Sequence, residues 1–371
     1  MEILPGCMQF YLLTRATLDG KMPSRMSVVL LLAGAASAGD WNRQGAAEYL
    51  DARQKAWLAW PAANGNGVPC VSCHTGMPYL LARPALRQAL GESGRTAYET
   101  ALLDSLRSRL DKRSPAQLFP KAKEGHASQA AGVEAIFAAL LLTADSPKGK
   151  LSADAEKAFD RMWSLQLREG EASGAWNWFS LDLDPWEMPE SRYYGAALAA
   201  LATGMTPAEY RARPDIREHA ASLRKYLCDR QTGQPLHNRL MLLWASTAMP
   251  DLLTAAERRA LADEVLKRQQ PDGSWTIEAL GAFQRHEKAP AAEGSSAYGT
   301  ALAAFILNRA ETRDARVSRS LDWLRAHQDR KSGYWDATSM NKDYPADSMM
   351  QSFMRDAATS YAVMALLEAQ K

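Results

Sequence analysis

Three copies of a Gly-x-Trp pattern are the feature that most restricts the fold of this 371-residue chain. They lie at 174–176, 273–275 and 333–335. Each follows an amphipathic segment that ends near a Gln, and each precedes an Ala-rich apolar segment. A repeat of this kind indicates helix pairs that cannot bury their apolar faces alone. The chain is therefore expected to fold by packing such units against one another.

Weaker copies of the same unit fill the rest of the chain. The more polar helices suit an outer layer and the Ala-rich helices suit an inner layer, and no alternating pattern typical of strands is found. Outer helices are predicted near 43–60, 94–112, 152–168, 208–230, 254–270 and 312–328. Inner helices are predicted near 77–91, 127–144, 190–204, 235–248, 293–309 and 353–369. The sequence therefore predicts an all-α fold, an α/α toroid (double-layered barrel) of about six helix–loop–helix repeats.

The pattern QQPDGSW resembles the QW motif of squalene–hopene cyclases and prenyltransferase-type α/α toroids. The resemblance covers most of the chain at the level of repeat architecture. It implies that each Gln ends an outer helix and packs on the Trp. The catalytic D-x-D-D motif of the cyclases is absent, because the nearest stretch has Asp182 and Asp184 followed by Pro185. A class II cyclase activity is therefore less expected than the toroid itself.

The stretch CVSCH at 70–74 matches the attachment signature of c-type haem. In such sites two thiols add to the haem vinyl groups, and the His that follows is placed beneath the iron. We therefore expect one covalent haem c held by Cys70, Cys73 and His74, with Arg83 pairing with a propionate. His126, at the start of the second inner helix, is the first candidate for a sixth iron ligand.

Other interpretations of the cysteines stay open. Cys70 and Cys73 could form a disulfide in an oxidising compartment. A zinc half-site would need two further ligands, and the sequence has no second C-x-x-C or H-x-x-H. Cys228, Asp229 and His237 could also be grouped as zinc ligands, although their spacing matches no familiar pattern. A thioredoxin-like centre would need a βαβ setting, which the sequence lacks.

The repeat also predicts where a pocket should lie. In an α/α barrel every outer-to-inner loop reaches the same rim, so the C-x-x-C-H loop should share a mouth with the other five loops. The Trp and Tyr residues of these loops suit an apolar or aromatic ligand. The expected pocket residues are Trp186, Glu187, Tyr193, His237 and His286. No catalytic residue is identified.

The N-terminal region has the order of a secretory signal. Lys21 and Arg25 precede a short apolar stretch at 27–35, and Ala36-Ser37-Ala38 forms a small-residue cleavage site. We expect residues 1–38 to be an upstream extension plus signal peptide, cleaved after Ala38, and 39–371 to be one toroid domain. The protein is then periplasmic or otherwise exported, without a stable membrane span.

The formal net charge of +2 gives no indication of nucleic-acid binding. The sequence thus predicts an exported haem c protein on a terpenoid-cyclase-like toroid. Its expected role is electron transfer or oxidation of an apolar substrate. Its partner would be a redox protein or an apolar small molecule. The alternative is a haem-free, cyclase-like toroid that binds or transforms an isoprenoid lipid.

Overall fold

The computed structural model describes residues 40–65, 67–111, 125–283, 289–290 and 294–371. The residues it describes form thirteen α-helices and one short antiparallel ribbon, β1 (Asn64–Gly65) with β2 (Val68–Pro69). The helices are α1 (Arg43–Ala59), α2 (Gly76–Leu90), α3 (Ala97–Leu110), α4 (His126–Asp145), α5 (Ala153–Ser164), α6 (Ser191–Met205), α7 (Ala208–Ala212), α8 (Pro214–Arg230), α9 (Leu236–Ala248), α10 (Ala255–Lys267), α11 (Ala297–Arg309), α12 (Ala315–Ala326) and α13 (Phe353–Glu368). The predicted signal segment lies outside the described residues.

Six of these helices form a closed inner ring. Contacts run from α2 to α4, α6, α9, α11 and α13 in turn, and α13 packs back against α2. The outer helices α3, α5, α8, α10 and α12 each pack on the inner helix that precedes them, and α1 packs on α2 and α13. The predicted all-α toroid of six helix pairs is confirmed.

Small side chains let the inner helices approach closely. The inner helix α4 shows this most clearly, since its residues from Ala130 to Thr143 are buried at nearly every position. Among the described residues, α4 alone is long and apolar enough to cross a membrane by length and composition. Most of its surface is covered by neighbouring helices, as is typical of the core helix of a globular domain.

The repeated Gln and Trp residues hold consecutive outer helices together. In the third repeat, the Gln328 side-chain amide donates to the carbonyl oxygens of Gly333 (2.8 Å) and Asn42 (3.0 Å). Gln166 and Gln269 make the same pair of contacts, one within their own loop and one to the next outer helix. These bonds tie each inter-helix loop to the backbone of the next outer helix.

The Trp of each repeat completes the end of its own outer helix. The indole nitrogens of Trp176, Trp275 and Trp335 donate to carbonyl oxygens in the last turns of α5, α10 and α12, at 2.6, 2.8 and 2.7 Å. All three rings are fully buried. The abundance of Trp therefore has a structural cause at these positions.

The Gly of the repeat is needed for two reasons. Gly273 has a φ of +96°, which favours glycine. A Cβ there would lie 2.7 Å from the carbonyl oxygen of Arg319 on the next outer helix. Gly174 meets the carbonyl oxygen of Ser222 in the same manner. The Gly-x-Trp pattern thus marks the points where one repeat touches the backbone of the next.

Several outer helices end earlier than predicted. The helices α5 and α10 end at Ser164 and Lys267, and the Gln that follows each one lies outside the helix. The predicted 208–230 helix is divided at Arg213, because Pro214 disfavours a helical conformation at the preceding residue.

Candidate functional site

A cavity opens where the first and third outer-to-inner loops meet. Its volume is about 180 Å³, and its walls are mainly aromatic and aliphatic side chains. Polar groups enter it from the C-x-x-C-H loop, from the end of α3, from α4 and from the loop before α6. The residues with ionisable side chains that line it are Cys70, Cys73, His74, Arg109, Glu134 and Glu187. The predicted convergence of loops at one rim is therefore seen for the C-x-x-C-H loop and the Glu187 loop.

Local hydrogen bonds shape the C-x-x-C-H loop. The Cys70 amide donates to the Ala63 carbonyl oxygen (2.8 Å), and the Trp57 indole donates to the Cys70 carbonyl oxygen (2.7 Å). The Ser72 hydroxyl accepts bonds from the amides of Thr75 and Gly76, both at 3.1 Å. The Ser72 side chain thereby satisfies donors at the start of α2, so the loop is held rigidly against the inner ring.

Cys73 and Glu187 meet at the wall of the cavity. The Cys73 thiol donates to a Glu187 carboxyl oxygen across 3.8 Å. Burial raises the pKa of Glu187 to about 7, and the thiol bond opposes this shift only in part. Burial and the neighbouring Glu187 charge raise the pKa of Cys73 well above its usual value. At neutral pH the pair therefore consists of a thiol and a carboxyl group that is partly protonated.

The Glu187 backbone is fixed by a tight loop. Its carbonyl oxygen accepts from the Leu181 amide (2.7 Å), and its amide donates to the Leu183 carbonyl oxygen (2.9 Å). The Asp184 amide, within the same loop, donates to the side-chain oxygen of Asn341 (3.1 Å). The loop before α6 is thus tied to the loop before α13, which holds the Glu187 carboxyl toward the cavity.

His74 lies in an apolar stack with a polar anchor. Its ring packs almost parallel to Phe353, with 3.6 Å between ring centroids. Its Nδ1 atom lies 2.8 Å from the Thr75 hydroxyl, which donates to Asp356 (2.8 Å). Burial, with a smaller contribution from the Arg53 charge, lowers the pKa of His74 to about 3. His74 is therefore neutral at physiological pH.

A second carboxylate reaches the cavity from α4. Glu134 is ion-paired with Arg109 (2.7 Å) and Arg161 (3.5 Å). Arg109 also donates to the Val68 carbonyl oxygen (2.6 Å), which ties the pair to the C-x-x-C-H loop. The cavity thus contains two acidic side chains in different environments, one buried beside a thiol and one paired with guanidinium groups.

The other predicted pocket residues lie deeper or elsewhere. Trp186 packs on the His74 ring and donates to the Tyr298 hydroxyl (3.1 Å). His237 is fully buried beneath it, with its Nε2 atom 2.8 Å from the same hydroxyl, and burial lowers its pKa to about 4. Tyr193 donates to the Leu227 carbonyl oxygen, between α6 and α8. None of these three residues lines the cavity, and His286 lies outside the described residues.

Two residues proposed as haem contacts have other positions. Arg83 is buried on α2 and forms ion pairs with Asp51 (3.0 Å) and Glu92 (2.7 Å), so its side chain is held by protein carboxylates. His126 is the first residue of α4 and is not among the residues that line the cavity. Neither side chain is brought to the C-x-x-C-H loop.

Sequence reasoning missed Glu134, Arg109 and Asp356. Glu134 and Asp356 lie within helices that were predicted to be apolar and inward-facing. A charged residue inside an Ala-rich inner helix requires a buried partner. The presence of charged residues in helices predicted to be apolar was therefore the sequence feature that could have indicated a polar site.

Comparisons with known proteins match the architecture alone. No family model matches the chain, and no curated protein matches it. A similar solved structure is an inactive variant of the α-1,6-mannanase GH76A of Salegentibacter sp. HEL1_6 in complex with α-1,6-mannotetrose. The identity is 12%, the match covers 88% of this chain and 99% of that chain, and the TM-score is 0.47.

The expected family is corrected by these comparisons. The chain was expected to resemble squalene–hopene cyclases and prenyltransferase-type toroids, but the similar structure is a glycoside hydrolase. The expected cyclase or prenyltransferase family and the cyclase-like alternative for an isoprenoid lipid are corrected to the toroid fold alone, because no family model and no curated protein matches the chain. The motif implied that each Gln ends an outer helix and packs on the Trp, whereas Gln166 and Gln269 lie just beyond their helices and donate to backbone carbonyl oxygens.

The expected function as a haem c protein is also wrong. The described residues include no group of three His, Cys, Asp or Glu side chains that could hold a metal ion. In this structure the cavity beside the motif is smaller than the roughly 300–1,000 Å³ of typical ligand pockets. Attachment at Cys70 and Cys73 is not tested by these contacts and stays a prediction from the motif.

Proposed function

We propose that this protein is a hydrolase that uses Glu187 as a general acid to cleave a glycosidic C–O bond. The observation that carries the proposal is the Glu187 carboxyl group, whose pKa is raised to about 7 by burial at an aromatic cavity. A general acid is most effective when its pKa lies near the working pH, and enzymes reach this condition for Glu by burial.

The second carboxylate supports this reaction class. Glycoside hydrolases use two acidic residues, one protonated to assist the leaving group and one ionised to activate water or attack the sugar. Glu187 and Glu134 line the same cavity, and among the described residues arginines pair with Glu134 but not with Glu187. Unequal environments of this kind support Glu187 as the acid and Glu134 as the carboxylate partner.

The cavity walls suit the face of a small ring. Trp57, Phe137, Trp178 and Phe179 supply aromatic surface, and Arg109 and Glu134 supply polar groups at one side. A volume of about 180 Å³ has room for one small ring rather than for a chain of rings. We therefore expect the enzyme to act on a terminal sugar or on a small glycoside. Export through a signal peptide within residues 1–38 is part of the same proposal, because extracellular glycosides would then be accessible.

The test is hydrolysis of a panel of para-nitrophenyl glycosides by the wild-type protein, Glu187→Gln and Glu190→Gln. Glu190 is a matched control, because it lies in the same loop with an exposed side chain. We expect Glu187→Gln to lower kcat by about 10²–10⁴-fold and Glu190→Gln to leave it unchanged. Absence of hydrolysis across the panel by the wild-type protein would refute the proposed function.

The leaving group provides a sharper test of the role of Glu187. A dinitrophenolate leaves without protonation, so the loss in Glu187→Gln should shrink when dinitrophenyl glycosides replace para-nitrophenyl glycosides. An equal loss on both substrates would show that Glu187 is not the general acid.

A further inference from the structure

We infer that the Nε2 atom of His74 is a fixed hydrogen-bond acceptor that binds a hydroxyl group of a small neutral ligand in the cavity. The inference deepens the proposed function, on which its relevance to catalysis rests, because it names the substrate group that the cavity recognises. Its physical basis is a chain of buried contacts that determines which imidazole nitrogen carries the proton.

This series of buried contacts begins at Asp356, whose carboxyl group accepts every hydrogen bond that it makes. The Arg53 guanidinium lies 2.8 Å from one carboxyl oxygen, and the Tyr49 hydroxyl donates to the same oxygen (2.7 Å). The Thr75 hydroxyl donates to the other oxygen (2.8 Å). Burial raises the pKa of Asp356, whereas Arg53 and the hydroxyl donors oppose that shift and favour the carboxylate. Arg53 cannot accept a hydrogen bond, so Asp356 is the acceptor of this pair.

Thr75 passes this constraint on to His74. A hydroxyl group has one proton to donate, and the Thr75 proton is used in the bond to Asp356. The Thr75 oxygen can therefore only accept from the His74 Nδ1 atom at 2.8 Å. A neutral imidazole with its proton on Nδ1 has a lone pair on Nε2. The contacts thus select one tautomer.

The His74 Nε2 atom is left available at the cavity. His74 lines the cavity and is partly exposed, and no bond from a described residue to its Nε2 atom is found. The stack on Phe353 and the edge of Trp57, whose ring centroid lies 5.5 Å away, fix the plane of the ring. Because the ring is already fixed, binding a ligand hydroxyl at Nε2 costs little further loss of side-chain rotational freedom.

The first experiment measures the tautomer by nitrogen NMR of ¹⁵N-histidine-labelled protein at pH 7, with His74→Gln used to assign the signals. We expect the His74 Nδ1 atom to carry the proton and Nε2 to have the shift of an unprotonated nitrogen. Thr75→Val removes the hydroxyl while retaining its shape and should weaken this preference, and Thr75→Ser should restore it. A proton on Nε2 in the wild-type protein would overturn the inference.

The second experiment compares binding of phenol and toluene by calorimetry. The two probes have nearly the same shape, and only phenol has a hydroxyl donor. We expect the ratio of phenol to toluene affinity to fall about fivefold from the wild-type protein to Thr75→Val, as the loss of one hydrogen bond implies. Thr75→Ser should keep the wild-type ratio. An unchanged ratio in Thr75→Val would overturn the inference.

These experiments separate the inference from the proposed function. The tautomer and the phenol preference do not depend on turnover, so both can hold if no glycoside is hydrolysed. In that case the acceptor stands and the glycosidase proposal fails. Hydrolysis without a phenol preference in the wild-type protein would leave the Glu187 chemistry intact and overturn the role of His74.

Discussion

Gln328 and Asn42 lie 286 positions apart in the chain and exchange two hydrogen bonds. The Asn42 amide donates to the Gln328 side-chain oxygen (2.6 Å), and the Gln328 side-chain nitrogen donates to the Asn42 carbonyl oxygen (3.0 Å). Asn42 also caps α1 by accepting from the Gly45 amide (2.8 Å). The last outer helix is thereby joined to the first, which closes the outer layer of the toroid.

Loss of the Gln328 side chain should destabilise the closed ring. We expect Gln328→Ala to lower the free energy of unfolding by about 2–3 kcal/mol, because buried backbone groups lose their partners. Urea unfolding followed by circular dichroism measures this change. Gln88→Ala, at an exposed position of α2, is the control and should change stability by less than about 0.5 kcal/mol. Equal effects of the two substitutions would contradict the closing role of Gln328.

The glycine of the second strong repeat should not tolerate a methyl group. Gly273→Ala places a Cβ against the Arg319 carbonyl oxygen and forces the alanine to adopt a positive φ. We therefore expect a loss of at least about 2 kcal/mol in the free energy of unfolding. Gly233→Ala is the matched control, because a Cβ there meets no atom within 4 Å. Thermal unfolding of both variants should therefore lower Tm only for Gly273→Ala.

Glu187 should make stability depend on pH in a defined direction. Burial raises its pKa from 4.5 to about 7, so the folded state binds this proton more tightly than the unfolded chain does. The resulting stabilisation is complete below pH 4.5, is lost as the pH rises to 7, and is absent above it. Since one pKa unit corresponds to about 1.4 kcal/mol, the change is on the order of 3 kcal/mol.

The measurement compares urea unfolding of the wild-type protein and Glu187→Gln at pH 5 and pH 8. Because the Gln side chain does not titrate, the wild-type protein should lose stability relative to the variant on going from pH 5 to pH 8. A constant difference between the two proteins would show that the Glu187 carboxyl is ionised throughout.

Activity should decline in the same pH range. If Glu187 must be protonated to assist the leaving group, kcat/KM should fall tenfold per pH unit above an apparent pKa of about 7. This basic limb should be absent from the residual activity of Glu187→Gln and retained in Glu190→Gln. Initial rates on a para-nitrophenyl glycoside across pH 5 to 9 provide the profile.

The described cysteines should differ in reactivity. Cys228 is exposed, whereas burial raises the pKa of Cys70 to about 11 and that of buried Cys73 well above its usual value. Since the thiolate is the reactive form, iodoacetamide at pH 7.5 should label Cys228 first. Mass spectrometry of peptides after native and denatured labelling reports each position separately. If Cys70 and Cys73 resist labelling even after denaturation and reduction, both thiols are covalently modified.

The repeat made the toroid predictable because its signals are local. Helical periodicity, the terminal Gln, and the Gly-x-Trp spacing each reflect contacts within one helix pair or between adjacent pairs. The predicted helices therefore agree with the observed bounds to within a few residues, apart from the division of 208–230 before Pro214. The motif at 70–74 was located correctly at the rim, but its surroundings were not visible in the sequence. A short pattern carries no information on cavity size or on the ring that covers His74.

By itself, the sequence of this protein determined the class of fold, the number of helix pairs and the rim at which the loops meet. These features follow from apolar periodicity and from glycines that only a close backbone approach requires. Only the tertiary structure decided that Cys73 contacts Glu187 across 114 positions and that Thr75 contacts Asp356 across 281. Such pairs depend on closure of the ring, which sets the burial of each group. Burial and partners determine the pKa of an acid, the proton position of an imidazole and therefore the chemistry of a site.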